Sequence, residues 1–147
     1  EIFDLPVEIL QANLERRILL DDGREILVEG YLNFAGRAAT FPWTSHAAWF
    51  YAQMARWGEV RMSTDGYARA QATYRPDIHR AALAPLGVPL PTASAKIEGA
   101  LAVETPVPST VGRLFLGPDR FFDGAVFDPE RLEDYLAATA VTAADTA

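Results

Sequence analysis

The alternation of apolar and polar residues is most regular between residues 41 and 58, where it predicts the longest helix of the chain. The segment Phe41-Pro42-Trp43 precedes Thr44 and Ser45, and either hydroxyl can cap a helix start. No glycine or proline follows until Gly58, a residue that favours a left-handed helix end. Arg56 falls in the last turn, where a cation is favourable. The pattern therefore predicts a helix from residue 44 or 45 to about residue 57.

Two neighbouring faces of this helix differ in chemistry. One is apolar at helical spacing and is predicted to face the core: Ala47, Phe50, Met54 and Trp57. The other mixes aromatic and polar groups: His46, Trp49, Gln53 and Arg56. We interpret this second face as a contact face towards another part of a larger protein, because tryptophan and arginine are common at interfaces. The alternative is part of an anion pocket at the helix N-terminus.

A β-hairpin is predicted upstream of this helix. Asp22-Gly23 separates the apolar runs 18–20 and 26–28, and a two-residue Asp-Gly turn favours an antiparallel pair because glycine tolerates positive φ. Both faces of this ribbon are apolar, so we expect it to be packed on both sides or joined by other strands. A short helix is predicted before it, over residues 5–14, with Pro6 in its first turn.

Two more helices are predicted downstream. The first covers residues 66–73 and is capped by Thr64 or Asp65. The second begins at Pro76, and its predicted inner face is Ile78, Ala81, Ala82 and Leu86. Residues 85–110 are rich in proline and lack a sustained period, which predicts an extended wrapping segment.

The last third of the chain predicts short strands and a terminal helix. Strand runs lie at 114–116 and 121–122, and a second Asp-Gly turn at 123–124 precedes residues 126–127. The terminal helix is predicted over 129–139, with Leu132, Tyr135 and Leu136 buried, and residues 140–147 are predicted to be a frayed tail. Together these elements predict an α+β fold, mainly helical with short β-hairpins, in a single unit of residues 1–147.

Composition and charge exclude several function classes. The 147 residues carry a net charge of −7, which argues against nucleic-acid binding, because that activity needs a clustered basic surface. Cysteine is absent, which excludes disulfides, thiolate metal sites and a cysteine nucleophile. No apolar run reaches the roughly 20 residues that span a bilayer.

Catalytic and metal-binding patterns are weak. The two histidines, His46 and His79, fall on different predicted helices, so they do not form a ligand pair at helical spacing. A nucleophile elbow and a phosphate-binding glycine loop are both missing from the sequence. Turn chemistry and solvation explain the paired acidic residues better than acid–base catalysis does. We therefore predict no catalytic residue, no metal site, no cofactor and no enzymatic activity.

Three motifs in this order and spacing resemble a known family. FPWTSHAAWFYAQMARWGEV begins at residue 41, YRPDIHRAALAPLGVPLP begins at residue 74, and LGPDRFFDGAVFDPERLEDYL begins at residue 116. They look like the C-terminal portion of the nitrate- and bicarbonate-binding proteins of ABC transporters, and of the related cytoplasmic nitrate sensors. The resemblance covers about residues 5–138.

The resemblance implies that this chain is the C-terminal part of a two-lobe α/β fold of the periplasmic-binding-protein type. In that reading it supplies lobe structure and interlobe contacts for a small oxyanion-binding protein, while the ligand contacts lie in upstream segments. No ligand residue carries over, and Lys96, the single lysine, lies outside the three motifs.

Implied partners are the remaining lobes, and then a transporter permease or a regulatory protein. Apolar surfaces that are left exposed also favour self-association of the isolated chain. The implied location is periplasmic. The alternative is the C-terminal module of a cytoplasmic nitrate sensor that binds a regulatory protein.

Overall fold

The computed structural model describes residues 14–28 and 36–139, together with Val7 and Gln11. Contacts group the chain into two compact units, residues 1–39 and residues 40–147. The predicted helix at 5–14 lies almost wholly outside the described residues, and the predicted tail at 140–147 lies wholly outside them. The single unit predicted from the sequence stays a prediction.

The first unit contains the predicted hairpin, with a different turn. Strand β1 (Arg17–Leu19) pairs antiparallel with β2 (Glu25–Leu27), and Ile18 lies opposite Ile26. The backbone N–H of Leu20 donates to the carbonyl of Arg24, so the loop has three residues and Gly23 adopts φ 82°. The predicted two-residue turn is wrong, because the left-handed residue closes a longer loop.

The faces of this ribbon are less buried than predicted. Leu19 is 60% exposed and Leu27 is 70% exposed. These side chains are not packed within this chain, and their cover by segments from elsewhere stays a prediction. A short 3₁₀ turn, Gly36–Ala38, follows in the same unit.

The second unit carries four α-helices within its described part. They are α1 (Thr44–Arg56), α2 (Thr64–Thr73), α3 (Pro76–Leu83) and α4 (Leu132–Ala138), with a 3₁₀ turn at Ala84–Leu86 after α3. Helix α1 has the bounds predicted, and α3 begins at the predicted proline. The predicted hydroxyl cap of α1 is wrong: Trp43 is the N-cap residue and makes no side-chain cap, because the hydroxyls of Thr44 and Ser45 donate to Ser94 and Glu98. Helix α2 begins earlier than predicted, because Ser63 is its cap and accepts a 3.0 Å hydrogen bond from the N–H of Gly66.

The predicted inner face of α3 is wrong. Ile78 is 54% exposed, Leu86 is 70% exposed, and both alanines of that face are exposed as well. Pro76 is buried instead, and the half-buried residues of the helix are His79, Arg80 and Leu83. Arg80 faces inward because neighbouring backbone carbonyls satisfy its donors, as described below.

A second antiparallel ribbon joins β3 (Thr105–Val107) to β4 (Leu114–Leu116). Strand β4 matches the prediction, whereas β3 lies in the proline-rich segment, where no strand was predicted. That segment is also held by isolated bridges, Pro91 with Ser109 and Glu98 with Phe127. A turn forms one residue earlier than predicted, because the N–H of Gly124 donates to the carbonyl of Phe121. Residues 121–122 do not pair with 126–127, because Phe127 pairs with Glu98.

The core of the second unit lies where α1 meets α4 and Phe127. Its buried residues are Ala48, Ala52, Phe127 and Tyr135, with Leu132 and Leu136 packed against them as predicted. The predicted core face of α1 is wrong except for Ala47: Phe50, Met54 and Trp57 are 54%, 40% and 63% exposed. Ala48 and Ala52 are fully buried instead, because small side chains let neighbouring structure approach the helix closely.

The described helices and the two small antiparallel sheets make this an α+β fold. Within the described ranges, no helix is long and apolar enough to cross a membrane.

Candidate functional site

The most strongly built polar site in the described residues surrounds Glu98, at the start of α1. The Glu98 residue is 4% exposed, and its Oε1 accepts a 2.5 Å hydrogen bond from the Ser45 hydroxyl. His46 Nε2 lies 3.3 Å from Oε2, and the ammonium of Lys96 binds the same oxygen. A buried carboxylate needs such donors to stay charged.

Burial and hydrogen bonding act in opposite directions on Glu98. Burial alone raises the pKa of its carboxyl, but hydrogen bonds from His46, Lys96 and Ser45 outweigh that effect and hold the pKa below its ordinary value of 4.5. The carboxylate is therefore ionised at neutral pH.

Lys96 links Glu98 to the loop after β4. Its side chain is 17% exposed, and its ammonium contacts Asp119 as well as Glu98. Asp119 also accepts a 2.8 Å hydrogen bond from the N–H of Leu101, and the ammonium lies 5.9 Å from the ring centroid of Trp43. The charge of the only lysine in the sequence is thus compensated by two carboxylates. We call Ser45, His46, Lys96, Glu98 and Asp119 the charged cluster.

Arg80 forms a second tie between α3 and the proline-rich segment. Its guanidinium donates to the carbonyls of Pro91 at 2.7 Å and Thr92 at 3.0 Å, and also to Ala93 and the Ser94 hydroxyl. The carbonyl of Ser94 in turn accepts hydrogen bonds from the N–H and the hydroxyl of Thr44. The first residue of α1 is therefore held by the same loop that binds Arg80.

Phe41 completes the contact between α3 and the residues before α1. Arg80 lies over its ring at 5.0 Å, and the His79 ring meets it edge-on with centroids 5.4 Å apart. Trp43 packs against Phe41 edge-on at 4.8 Å. These contacts are of the kind that orient aromatic and cationic groups together.

The four residues of the predicted contact face divide between two sites. His46 joins the charged cluster, whereas Trp49 Nε1 and Gln53 Nε2 both donate to the hydroxyl of Tyr135, at 3.2 and 2.8 Å. Arg56 Nη1 donates to Gln53 Oε1 at 3.3 Å. Trp49 also stacks on Phe121, with ring centroids 5.2 Å apart. The face makes these contacts inside the second unit, and a role towards another protein segment stays a prediction.

Sequence reasoning missed the residues that complete these sites: Glu98, Asp119, Arg80 and Tyr135. Glu98 lies 53 positions from Ser45, and Tyr135 lies 82 positions from Gln53, so no local period links them. One signal was available: Lys96 and Glu98 are spaced two apart in an extended apolar stretch, which places both on one side of the chain. In the described residues there is no group of three or more histidine and acidic side chains arranged to hold a metal ion.

The three sequence motifs converge around the first half of α1. The motif at residue 41 supplies Ser45 and Trp49, the motif at 74 supplies Arg80, and the motif at 116 supplies Asp119 and Tyr135. The segment between the second and third motifs supplies Lys96 and Glu98.

Curated sequences of the nitrate/nitrite binding protein NrtA are similar to this chain. The protein of Synechococcus elongatus is 31% identical over 135 residues, covering 91% of this chain and 26% of the relative. The protein of a Synechocystis species is 35% identical over 101 residues, covering 67% of this chain and 18% of the relative. That of a Nostoc species is 29% identical over 110 residues, covering 71% of this chain and 21% of the relative.

Over nearly its whole length, the chain is similar to part of the nitrate/nitrite-binding protein family. The family resemblance predicted from the three motifs is confirmed by these relatives. The chain spans about a quarter or less of the length of the nitrate/nitrite binding proteins that it matches. No family model matches the chain, and no solved structure matches it.

Proposed function

We propose that this chain is the C-terminal portion of a nitrate-type solute-binding protein of an ABC transporter, with a two-lobe α/β architecture in the complete protein. It supplies lobe structure and contacts between lobes, and the pocket for the small oxyanion lies in other segments. The proposal is supported by the names of the relatives and by the share of their length that the chain spans.

The ion pairs of Lys96 are the observation that supports a pocket in other segments. A small oxyanion is held by cations or by N–H groups that are free to point at it. The Lys96 ammonium is already bound to Glu98 and Asp119, so it does not present a net positive charge to an anion. Lys96 therefore stabilises the fold and does not contact nitrate.

The start of α1 is equally unsuited to an anion. The N–H of Thr44 donates to the Ser94 carbonyl at 2.9 Å, and the N–H of His46 donates to the Trp43 carbonyl at 3.0 Å. The ionised carboxylate of Glu98 lies against Ser45 in the next position. An anion placed there would meet occupied donors and a like charge.

Calorimetry on the isolated chain tests the proposal. Nitrate, nitrite and bicarbonate are titrated separately, and we expect no saturable heat for any of them. Saturable nitrate binding that Lys96→Met abolishes, while a distant Arg24→Met substitution leaves it intact, would place the ligand pocket inside this chain and overturn the proposal.

The proposed role places the complete protein in the periplasm. The alternative is a cytoplasmic nitrate sensor that uses this portion to bind a regulatory protein. The two roles differ in cellular location. Fractionation of the native organism with an antibody against this chain gives a periplasmic signal for the transport role and a cytoplasmic signal for the sensor.

A further inference from the structure

We propose that the outward side of α1 formed by Phe50, Met54 and Trp57 is the surface that docks onto the remaining part of a longer nitrate/nitrite-binding polypeptide. The partner face is apolar and uncharged. This inference rests on the proposed function and adds to it the residues that make the contact. We call these three residues the exposed stripe.

The exposed stripe forms one continuous apolar surface. Its residues are spaced at i, i+4 and i+7, with Trp57 as the C-cap residue directly after α1, so they lie along one side of the helix. They are 54%, 40% and 63% exposed, which is unusual for three large apolar side chains in a row. The Phe50 ring lies 5.2 Å from that of Trp49, so the surface continues into the aromatic pair that Trp49 forms with Phe121.

The other sides of α1 are occupied within the second unit. Ala48 and Ala52 face the core, while Gln53 binds Tyr135. The hydroxyl of Tyr51 donates to the Arg61 carbonyl and accepts from the N–H of Ser63, which ties that side to the start of α2. The exposed stripe is therefore the side of this helix that remains for a further partner.

The area of the stripe indicates what kind of partner covers it. Large side chains bury roughly 150–250 Å² each, so the exposed fractions amount to about 300 Å². A stable dimer needs about 800 Å² from each partner, so the stripe alone is too small to hold a second copy. A partner tethered on the same polypeptide needs less area, because the tether supplies a high effective concentration. The relatives extend far beyond the matched segment, which fills 26% of one of them, and this favours the tethered partner.

The test compares one set of substitutions in two settings. Phe50→Gln, Met54→Gln and Trp57→Gln are made together, first in the isolated chain and then in a chimera, in which this chain replaces the matched segment of the Synechococcus elongatus relative. Glutamine keeps helix propensity and removes the apolar surface. We expect an unchanged melting temperature in the isolated chain and a decrease of roughly 4 °C or more in the chimera.

Phe122→Gln is the matched control. Phe122 is also a large apolar residue, is fully exposed at 104% and lies off the helix. Its substitution should leave the melting temperature of both proteins unchanged. If Phe122→Gln lowers the melting temperature of the chimera as much as the stripe variant does, exposed apolar residues in general stabilise the chimera. The proposal that the exposed stripe is the docking surface would then be wrong.

Three other outcomes separate the docking surface from the proposed function. If the unsubstituted chimera binds nitrate and the stripe variant melts at the same temperature, the docking surface is wrong and the proposed function stands. If the unsubstituted chimera fails to fold or to bind nitrate while the parent relative does both, the proposed function fails. If sedimentation shows a stable dimer of the isolated chain that the stripe variant abolishes, the partner is a second copy and the tethered partner is wrong.

Discussion

The two sides of helix α1 are built from opposite kinds of residue. The inward side carries small and polar groups, with Ser45, Ala48 and Ala52 fully buried. The outward side carries large apolar groups, with Phe50 and Trp57 more than half exposed. If hydrophobicity alone set the orientation, the side with the large apolar residues would face the core. The difference shows that side-chain size and available polar partners decide which side of a helix faces the core.

The reason lies in what each side contacts. Ala48 and Ala52 allow Phe127 and Tyr135 to approach the helix backbone, and aromatic rings fill the volume that larger helix residues would need. Ser45 is buried because Glu98 and the N–H of Lys96 both hydrogen-bond to its hydroxyl. The inward side thus requires particular side-chain sizes and hydrogen-bond partners. The outward side has only its apolar character in common.

Removing the buried carboxylate is expected to have the largest effect. Glu98→Gln leaves Lys96 with one acidic partner and disturbs the hydrogen bonds of Ser45 and His46, so the free energy of unfolding should fall by about 3 kcal/mol. Urea denaturation of both proteins measures this. Asp65→Asn, which breaks an exposed ion pair with Arg69, is the control and should change stability by less than about 1 kcal/mol. A loss at position 98 no larger than that of the control would contradict the structural role of the cluster.

The same carboxylate predicts a dependence on pH. The native pKa of Glu98 lies below its ordinary value of 4.5, so its ionisation stabilises the folded state above that pH. The contribution is lost as the pH falls below 4.5 and passes through the lower native pKa. The stability difference between the native chain and Glu98→Gln should therefore shrink on acidification. A difference that stays constant from neutral pH to pH values below the native pKa would exclude this carboxylate as its source.

Overpacking the inward side should cost somewhat less. Ala52→Leu inserts three carbon atoms at a fully buried position against Phe127 and Tyr135, and should lower the free energy of unfolding by about 1–3 kcal/mol. Thermal unfolding followed by circular dichroism measures it. Ala55→Leu, at a half-buried position of the same helix, is the comparison and should be tolerated better. Equal losses at both positions would mean that close approach at Ala52 is unimportant.

Loss of the Tyr135 hydroxyl is expected to have a smaller effect. Tyr135→Phe removes the acceptor for Trp49 and Gln53, and the amide of Gln53 is then buried without that partner. We expect a loss of about 1–2 kcal/mol in urea denaturation. The double variant Tyr135→Phe with Gln53→Met should recover part of it, because it no longer buries an unpaired amide. No recovery would show that the loss comes from packing and not from hydrogen bonding.

The smallest effect is expected on the outward side. Phe50→Gln alone in the isolated chain should change the free energy of unfolding by no more than about 0.5 kcal/mol, since the side chain is already 54% exposed. The same denaturation experiment measures it. A loss comparable to that of Ala52→Leu would remove the contrast between the two sides of α1.

Local signals predicted the positions of the helices in the second unit, although the terminal helix begins at Leu132 and not at residue 129. The end of α1 follows from Gly58, which adopts φ 76°, and the start of α3 follows from Pro76. Each of these depends on backbone geometry within a few residues, which the sequence carries directly. The cap of α2 was misplaced by one or two residues, because Ser63, Thr64 and Asp65 are all capping residues.

The inner faces of α1 and α3 were not predictable in the same way. Arg80 faces inward on α3 because carbonyls of the proline-rich segment converge on it, and those lie 11–13 residues further along the chain. The predicted contact face contained the right residues for polar contacts, but it could not reveal that Tyr135 binds two of them. Such sites depend on pairs of residues far apart in sequence.

The sequence by itself determined the extent of α1, the start of α3 and which family the chain resembles, because glycine, proline and the motifs act locally. Only the tertiary structure decided which side of each helix is buried and which charges are paired. Burial depends on how closely segments can approach, and a buried charge such as Glu98 is stable only once Ser45, His46 and Lys96 are brought to it.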